Sequence, residues 1–207
     1  MSPRRYVMDN RARTADETRR RIVEATYALH AERAIADTTM KDIAERADVG
    51  LGTVYHHFPT YNDVVHACGA HTFALAASPN STIFDGAKFP DERIVRLARA
   101  LFSFYERCPG IAKARADQNK FAALQEFLDR WNAAFADLVN EALRPAGDRQ
   151  ALAPVVRALL DFDVHARLIA AGFSTSDAAQ LMADMLIDWM KKGRRETPRE
   201  PKTRRNR

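Results

Sequence analysis

The residues best suited to chemistry lie in one stretch, TTMKDIAERADVGLGTVYHHF, residues 38–58. Ile43, Ala44, Ala47, Val49, Val54 and Phe58 are spaced to meet in one small core. The alanines let two helices approach closely, and Val49 plugs the turn between them. The other face of the second segment stays free and carries Leu51, Gly52, Thr53, Tyr55, His56 and His57. Methyl, hydroxyl, phenol and imidazole groups on a helix that enters a major groove can touch thymine methyls, base edges and phosphates. Gly52 allows close backbone approach. Core packing explains one or two aromatics at this spacing. It does not explain the ordered whole, with two short capped helices and an Arg-rich flank.

Other constellations carry less. Asp161 and His165 lie one helical turn apart and could be two metal ligands, with His66 or His71 as remote partners. A solvated or hydrogen-bonded pair is the expectation, and no metal is expected. His56 and His57 are adjacent, so on a helix they face about 100° apart and do not chelate together. The Glu-x-x-His, G-x-S-x-G, P-loop and H-E-x-x-H patterns are missing, so no catalytic residue and no cofactor is expected. Cys68 and Cys108 suit core positions in a reducing compartment rather than a disulfide or metal framework.

The elements that position the free face read as helices. Thr14 and Glu17 form a capping-box pattern that opens a helix reaching Ala34. Thr39 and Asp42 repeat it before a helix of barely two turns, Asp48 to Gly50 break the pattern, and a second short helix runs from Leu51 to Phe58. Longer segments follow: a helix from residue 61 to 77, a Ser/Pro/Asn/Gly loop over 78–90, and an amphipathic helix from 94 that Cys108, Pro109 and Gly110 stop. A short helical piece over 111–117 leads into a long helix over 121–142. One helix over 153–171 is apolar on most sides. A last one, capped by Ser174 and Asp177, carries the stripe Ala178, Leu181, Met182, Met185, Leu186 and Trp189. Such a final hairpin is a natural dimer element. Residues 193–207 contain no apolar side chain and are expected to be a basic disordered tail.

The fold class is therefore all-α, and 46% hydrophobic with 29% charged residues and only eight glycines fits an ordinary globular chain of 207 residues. The net charge of +5 is unevenly spread: residues 1–21 hold seven Arg against three acids, and residues 191–207 hold nine Lys/Arg against two Glu. Between them stand 16 basic and 22 acidic residues. Basic arms on an acidic body suit a polyanion, because neutralising phosphates releases counterions. No 18 apolar residues run together and the Arg-punctuated start lacks an apolar signal, so no membrane partner and a cytoplasmic location are expected.

Gly52, Thr53, Val54, Tyr55 and Phe58 stand in the order Gly-Thr-hydrophobe-Tyr-x-x-Phe, behind a short helix and an Ala-x-Val turn at Ala47 and Val49. In this the chain resembles the TetR family of helix-turn-helix transcription regulators. A basic first helix before the motif and a helical domain ending in two antiparallel helices after it extend the likeness. The resemblance implies a recognition helix from Gly50 to His57, with Thr53, Tyr55 and His56 at bases or phosphates, and an interface completed by Thr39, Gly50, Leu51, Gly52, His57 and Tyr61. Three positions depart from the pattern. Gly50 replaces a capping Ser that can touch phosphate. Asp48 replaces a turn Gly, which Asp tolerates in a left-handed backbone. Tyr61 replaces a phosphate-binding Lys, so its hydroxyl, or Arg4, Arg5, Arg11, Arg13 or Arg19, has to serve instead.

The resemblance further implies an N-terminal helix-turn-helix DNA-binding domain over 1–65 and a C-terminal effector-binding and dimerisation domain over 66–192. It implies a homodimer through the last two helices on a palindromic operator in double-stranded DNA, and a small apolar or aromatic ligand whose binding shifts the two heads out of register. Repression is the family's usual direction. Phe102, Tyr105, Phe121, Phe127, Trp131 and Phe162 could line the ligand pocket, with polar groups from Asp161, His165, Arg115 or Gln118. Core packing explains any one of these aromatics. Two rival readings differ in kind: an architectural protein that coats DNA without sequence choice, and a regulator whose C-terminal domain binds another protein.

Overall fold

The computed structural model describes residues 3–108 and 110–196, with side chains from residue 12 to residue 192 apart from 109. Among the described residues there are ten α-helices, two 3-10 turns and no strand: α1 (Pro3–Glu32), α2 (Met40–Ala47), α3 (Leu51–His57), α4 (Tyr61–Ala76), α5 (Pro90–Arg107), α6 (Ile111–Asp117), α7 (Ala122–Ala142), α8 (Arg149–Leu159), α9 (Phe162–Ala170) and α10 (Thr175–Glu196). The 3-10 turns are Ile35–Asp37 and Ser81–Phe84. Two compact units emerge, one of residues 1–78 with 104–134 and one of 79–103 with 135–207.

In the first unit Ile22, Ala25 and Leu29 of α1 are buried with Met40, Ile43, Ala44 and Ala47 of α2, Val54 and Phe58 around α3, and Val64 of α4. A second cluster joins Ile35, Val65, Ala114, Ala123 and Leu124. Helix α1 starts at Pro3, not at Thr14. Proline suits a first helical position, where its missing N–H costs nothing. Thr14 is therefore inside the helix, where its carbonyl accepts the Thr18 hydroxyl at 2.9 Å instead of opening a capping box.

In the second unit the expected single helix over 153–171 is two. Asp148 caps α8, accepting the Ala151 N–H at 3.2 Å, and Asp161 caps α9, accepting the Asp163 N–H at 2.9 Å. An aspartate that caps a following turn competes with continuation of the helix through it. The loop over 78–90 contains the turn Ser81–Phe84, opened by Asn80, whose Oδ1 accepts the Thr82 N–H at 2.9 Å. The buried Arg93 guanidinium covers the Phe84 ring at 4.5 Å and bonds the Glu141 carboxylate at 2.6 Å. Ser174 caps α10 as expected, accepting the Asp177 N–H at 3.1 Å. Ala178, Met182 and Leu186 of the final stripe are buried, while Met185 and Trp189 remain 50% and 40% exposed. Helix α10 continues to Glu196, past the expected boundary at 193, and residues 197–207 of the expected tail lie outside the described residues.

Candidate nucleic-acid interface and adjoining cavity

The α2–turn–α3 segment is fastened by local bonds. Thr39 Oγ1 accepts the Asp42 N–H at 3.2 Å, and Asp42 accepts the Thr39 N–H at 2.8 Å and its hydroxyl at 2.7 Å. These bonds hold the Asp42 carboxyl below its ordinary value. Asp48 ends α2 in the left-handed region at φ 52°, and the Val49 N–H reaches back to the Ala44 carbonyl at 3.1 Å. Arg21 of α1 donates to the Ala47 and Asp48 carbonyls, the latter at 2.9 Å, neutralising the negative end of α2. Gly50 caps α3 through its backbone alone, its carbonyl accepting the Thr53 N–H at 2.9 Å.

Val54 and Phe58 point inward and are fully buried. The period of the helix then forces Leu51, Gly52, Tyr55 and His56 outward, where all four are exposed; Thr53 and His57 are half-buried beside them. Gly52 faces open space, since a Cβ there would meet nothing within 4 Å. Thr39 and Gly50 are exposed at the starts of the two helices. The His56 and His57 rings lie 5.4 Å apart and nearly perpendicular. Burial, with help from His56 and Arg19, holds His57 below its ordinary value.

Two expected phosphate contacts are placed elsewhere. The Tyr61 hydroxyl turns inward, 2.6 Å from the Ile35 carbonyl and 2.9 Å from His30 Nε2, and its ring packs against Phe121 at 5.3 Å. The ring is half-buried because it starts α4 on the side facing α1 and α6, so the hydroxyl is not presented at the surface. Arg19 lies 4.1 Å over the Phe58 ring and donates to the His57 carbonyl at 3.0 Å, which ties α1 to the end of α3. Arg13 is exposed, and Arg4, Arg5 and Arg11 lie outside the residues whose side chains are described. Sequence reasoning missed Lys41, 77% exposed on α2. It also missed the second capping box at Thr60 and Asp63, which starts α4 three residues after α3 ends.

A cavity of about 50 Å³ lies within the same unit, lined from α1, the first 3-10 turn, α4, α6 and α7. Its walls include Ile35, Val65, Ala114, Ala123, Leu124 and Phe127, with Tyr27, His30, His66, Cys68, Thr72 and Arg130 as polar or aromatic members. Gly69 gives it depth: a Cβ there would come within 3.0 Å of the Phe127 ring. Because the Ile35 carbonyl can only accept, Tyr61 donates to it. His30 Nε2–H then donates to the Tyr61 oxygen, and Nδ1 faces the Cys68 thiol at 3.6 Å as acceptor. Burial first, and Lys113 next, lower His30 to about 4, and burial pushes the Cys68 thiol up to about 12. Both are neutral near pH 7.

Of the expected ligand-lining set, Phe127 alone lines this cavity. Phe127 packs on Phe73 at 4.5 Å, and Trp131 stacks on Phe104 at 4.5 Å with Tyr105 at 6.0 Å, so Phe127 is the member of an aromatic cluster that reaches this cavity. Phe121 backs Tyr61. Arg115 and Gln118 are not among the cavity's lining residues. In the second unit His165 meets Phe102 at 5.1 Å and Phe162 at 6.3 Å, and the Asp161 carboxylate is spent on its cap. The residues that sequence reasoning overlooked are small or polar ones on buried stripes. His30, one position after buried Leu29, was the available signal.

Two short helices around a left-handed turn, with a packed inner face and an exposed polar-aromatic outer one, define a helix-turn-helix DNA-binding unit. Over this segment the chain carries the helix-turn-helix of the TetR family of transcriptional regulators, a family of regulators and not of enzymes. Residues 22–68 match the profile of the bacterial regulatory proteins of the tetR family. The chain is similar to the HTH-type transcriptional repressor KstR2 of Mycobacterium tuberculosis, 25% identical over 143 residues that cover 66% of this chain and 72% of that one. It is also similar to the HTH-type transcriptional repressor KstR of Rhodococcus jostii, 27% identical over 146 residues that cover 68% of each. A TetR-family regulator from a Rhodococcus species shares the fold, with a TM-score of 0.65 at 22% identity over 84% of this chain and 99% of that one. Regulators of this family bind operator DNA and small-molecule ligands. No helix among the described residues is long and apolar enough to cross a membrane.

Proposed function

We propose that the protein is a cytoplasmic repressor that binds a palindromic operator as a homodimer through α3 and leaves it when a small molecule enters the cavity. The observation that carries the reading is the division of α3 into a buried face, Val54 and Phe58, and an exposed face, Leu51, Gly52, Tyr55 and His56. Thr53, His57, Thr39 and Gly50 complete the proposed contact surface, and Lys41 adds a positive charge for phosphate. Tyr61 acts from behind, fixing α4. Functionally, residues 1–65 read DNA and residues 66–192 serve effector and dimer, with the cavity drawing walls from both sides of that boundary. Support for the dimer comes from α9 and α10 and the turn between them, which leave Ile169, Phe173, Met185 and Trp189 between 39% and 50% exposed. Apolar groups clustered at that level on a final hairpin are best covered by a second copy.

Coupling follows from shared helices. Helix α4 supplies Val65, Cys68, Gly69 and Thr72 to the cavity, and its capped start stands three residues from α3. The cavity is far smaller than the roughly 300–1,000 Å³ of ligand sites, so a ligand must push α4, α6 or Phe127 outward. A shift of α4 carries α3 with it. For near-complete release the ligand has to favour the displaced state by about 10⁴-fold.

Selection of the preferred duplex from a random pool, with binding measured at two salt concentrations, tests the reading. A palindromic winner with half-sites about one helical turn apart and a large preference over scrambled DNA is expected. Binding that collapses with salt and shows no preferred sequence would assign the protein to architectural DNA coating instead.

A further inference from the structure

We propose that the cavity takes a small organic monoanion, a carboxylate on an apolar aliphatic or aromatic body, whose charge pairs with Arg130. The proposal rests on the ligand-release reading above and names the chemistry of that ligand. Apolar side chains, among them Ile35, Val65, Ala114, Ala123, Leu124 and Phe127, form the walls, and no Asp or Glu lines the cavity. Arg130 stands at its exposed rim with His66. Among the described residues the Arg130 side chain bonds only the Glu126 carbonyl of its own helix, through Nε at 3.3 Å, so both terminal nitrogens are available for a two-point carboxylate contact. Lys113 of α6 adds positive charge nearby, its Nζ donating to the Ala31 carbonyl. Asp117, the acid whose charge acts on His30, is engaged by Lys120 at 2.9 Å and by the Ala36 N–H at 2.9 Å. The same field contributes to keeping His30 neutral, with Lys113 and Arg33 opposing its protonation.

An organic cation would find no carboxylate among the lining residues and Arg130 at the rim. A neutral molecule would leave Arg130 unused. The apolar body has to make its own room, because about 50 Å³ holds only a few water molecules. Phe127 is the movable wall: it closes against Gly69 on one side and against Phe73, 4.5 Å away, on the other.

The test is calorimetric titration of the full chain, without DNA, by hexanoate, octanoate and 4-phenylbutyrate and by the alcohol and the amine of each skeleton. At least one carboxylate should bind about tenfold or more tightly than its matched alcohol and amine, the usual worth of a charge-assisted pair. Arg130→Gln should remove that preference and leave alcohol binding unchanged, with Arg130→Lys restoring part of it. Arg130 is exposed, so the melting temperature should not move, and a melting curve of each variant verifies this. Carboxylates that all fail to bind, amines or alcohols that bind as well, or a preference that survives Arg130→Gln would each overturn the proposal. The titration contains no DNA, so it stands apart from operator selection. A selected operator beside a failed titration rejects the ligand class and leaves the regulator reading intact.

Discussion

The helix-turn-helix and the cavity share α1 and α4 yet are held by opposite kinds of contact. The first is closed internally by bonds between near neighbours, Thr39 with Asp42, Val49 with Ala44, Gly50 with Thr53, and Arg19 and Arg21 of α1 tie it across the chain. The second is closed across the chain, by His30 with Tyr61, Ala36 with Asp117, Lys113 with Ala31 and Asn62 with Ala123, pairs 31 to 82 residues apart. Local closure makes a rigid reading head that can be moved as a body. Distant closure makes a joint that a ligand can open without unmaking any helix.

The largest expected effect removes the largest fully buried side chain of the head. Phe58 is 1% exposed, beneath Arg19 and beside Ile43 and Val54. Phe58→Ala should cost about 3–5 kcal/mol, measured by thermal or denaturant unfolding, and abolish operator binding with it. A loss under about 1 kcal/mol would mean that the head is held from outside its own core.

Acid separates the two regions next. His30 is held near 4 against an ordinary value of 6.5, so the unfolded chain binds a proton that the folded one refuses. Stability from neutral His30 is complete above pH 6.5 and is lost as pH falls toward 4, by at most about 3 kcal/mol. Asp42 is shifted in the same direction from 3.8, so its contribution is lost only below that pH. Unfolding curves at pH 7, 5, 4 and 3 should show the first loss between 7 and 5, and His30→Gln should flatten the slope down to pH 4 while leaving the loss below it. An unchanged slope in His30→Gln would remove the imidazole from the joint.

Tyr55 and Tyr61 make the sharpest pair of the middle rank. Tyr55 is 48% exposed on α3, whereas the Tyr61 hydroxyl is bonded inside. Tyr55→Ala should cost about 1–3 kcal/mol of operator affinity at unchanged melting temperature. Tyr61→Phe should cost about 1–3 kcal/mol of stability, by leaving the buried His30 Nε2–H without its acceptor while the Ile35 carbonyl keeps the Thr38 N–H at 3.2 Å, at an unchanged salt slope of DNA binding. If Tyr61→Phe shallows that slope instead, its hydroxyl reaches phosphate in the complex.

The same contrast explains what was legible in the sequence. Thr39 with Asp42, the break at Asp48 to Gly50 and the inward set Ile43, Val54 and Phe58 are spelled by spacings of three and four residues, which a helix converts directly into neighbours. Aspartate carries two meanings, and there the reading slipped: Asp161 inside an apolar run is a cap that splits the expected helix in two. Likewise Pro3 opens α1 eleven residues before the capping pattern at Thr14. The cavity was hardest, because no local spacing says that His30 will meet Tyr61 and Cys68. Large aromatics are the natural choice for a lining, but of the expected set only Phe127 reaches this cavity, which is left where side chains are small, as at Gly69, Ala114 and Ala123.

The smallest effect falls at the start of α3, where the head lacks a side-chain cap. Gly50 has φ −67° and ψ 145°, a conformation open to any residue, and a Cβ there would lie 3.7 Å from Thr53 Oγ1, an ordinary contact. Gly50→Ser should therefore fit without strain, place a hydroxyl to accept the Thr53 N–H, and raise stability by a few tenths of a kcal/mol. Presented to a phosphate, the same hydroxyl should strengthen operator binding by about tenfold or more, the worth of one hydrogen bond to a charged group. A melting curve and a titration against the selected duplex measure the two effects separately. A gain in stability with a loss of affinity would show that the DNA backbone comes closer to residue 50 than a side chain allows, making this glycine part of the reading surface.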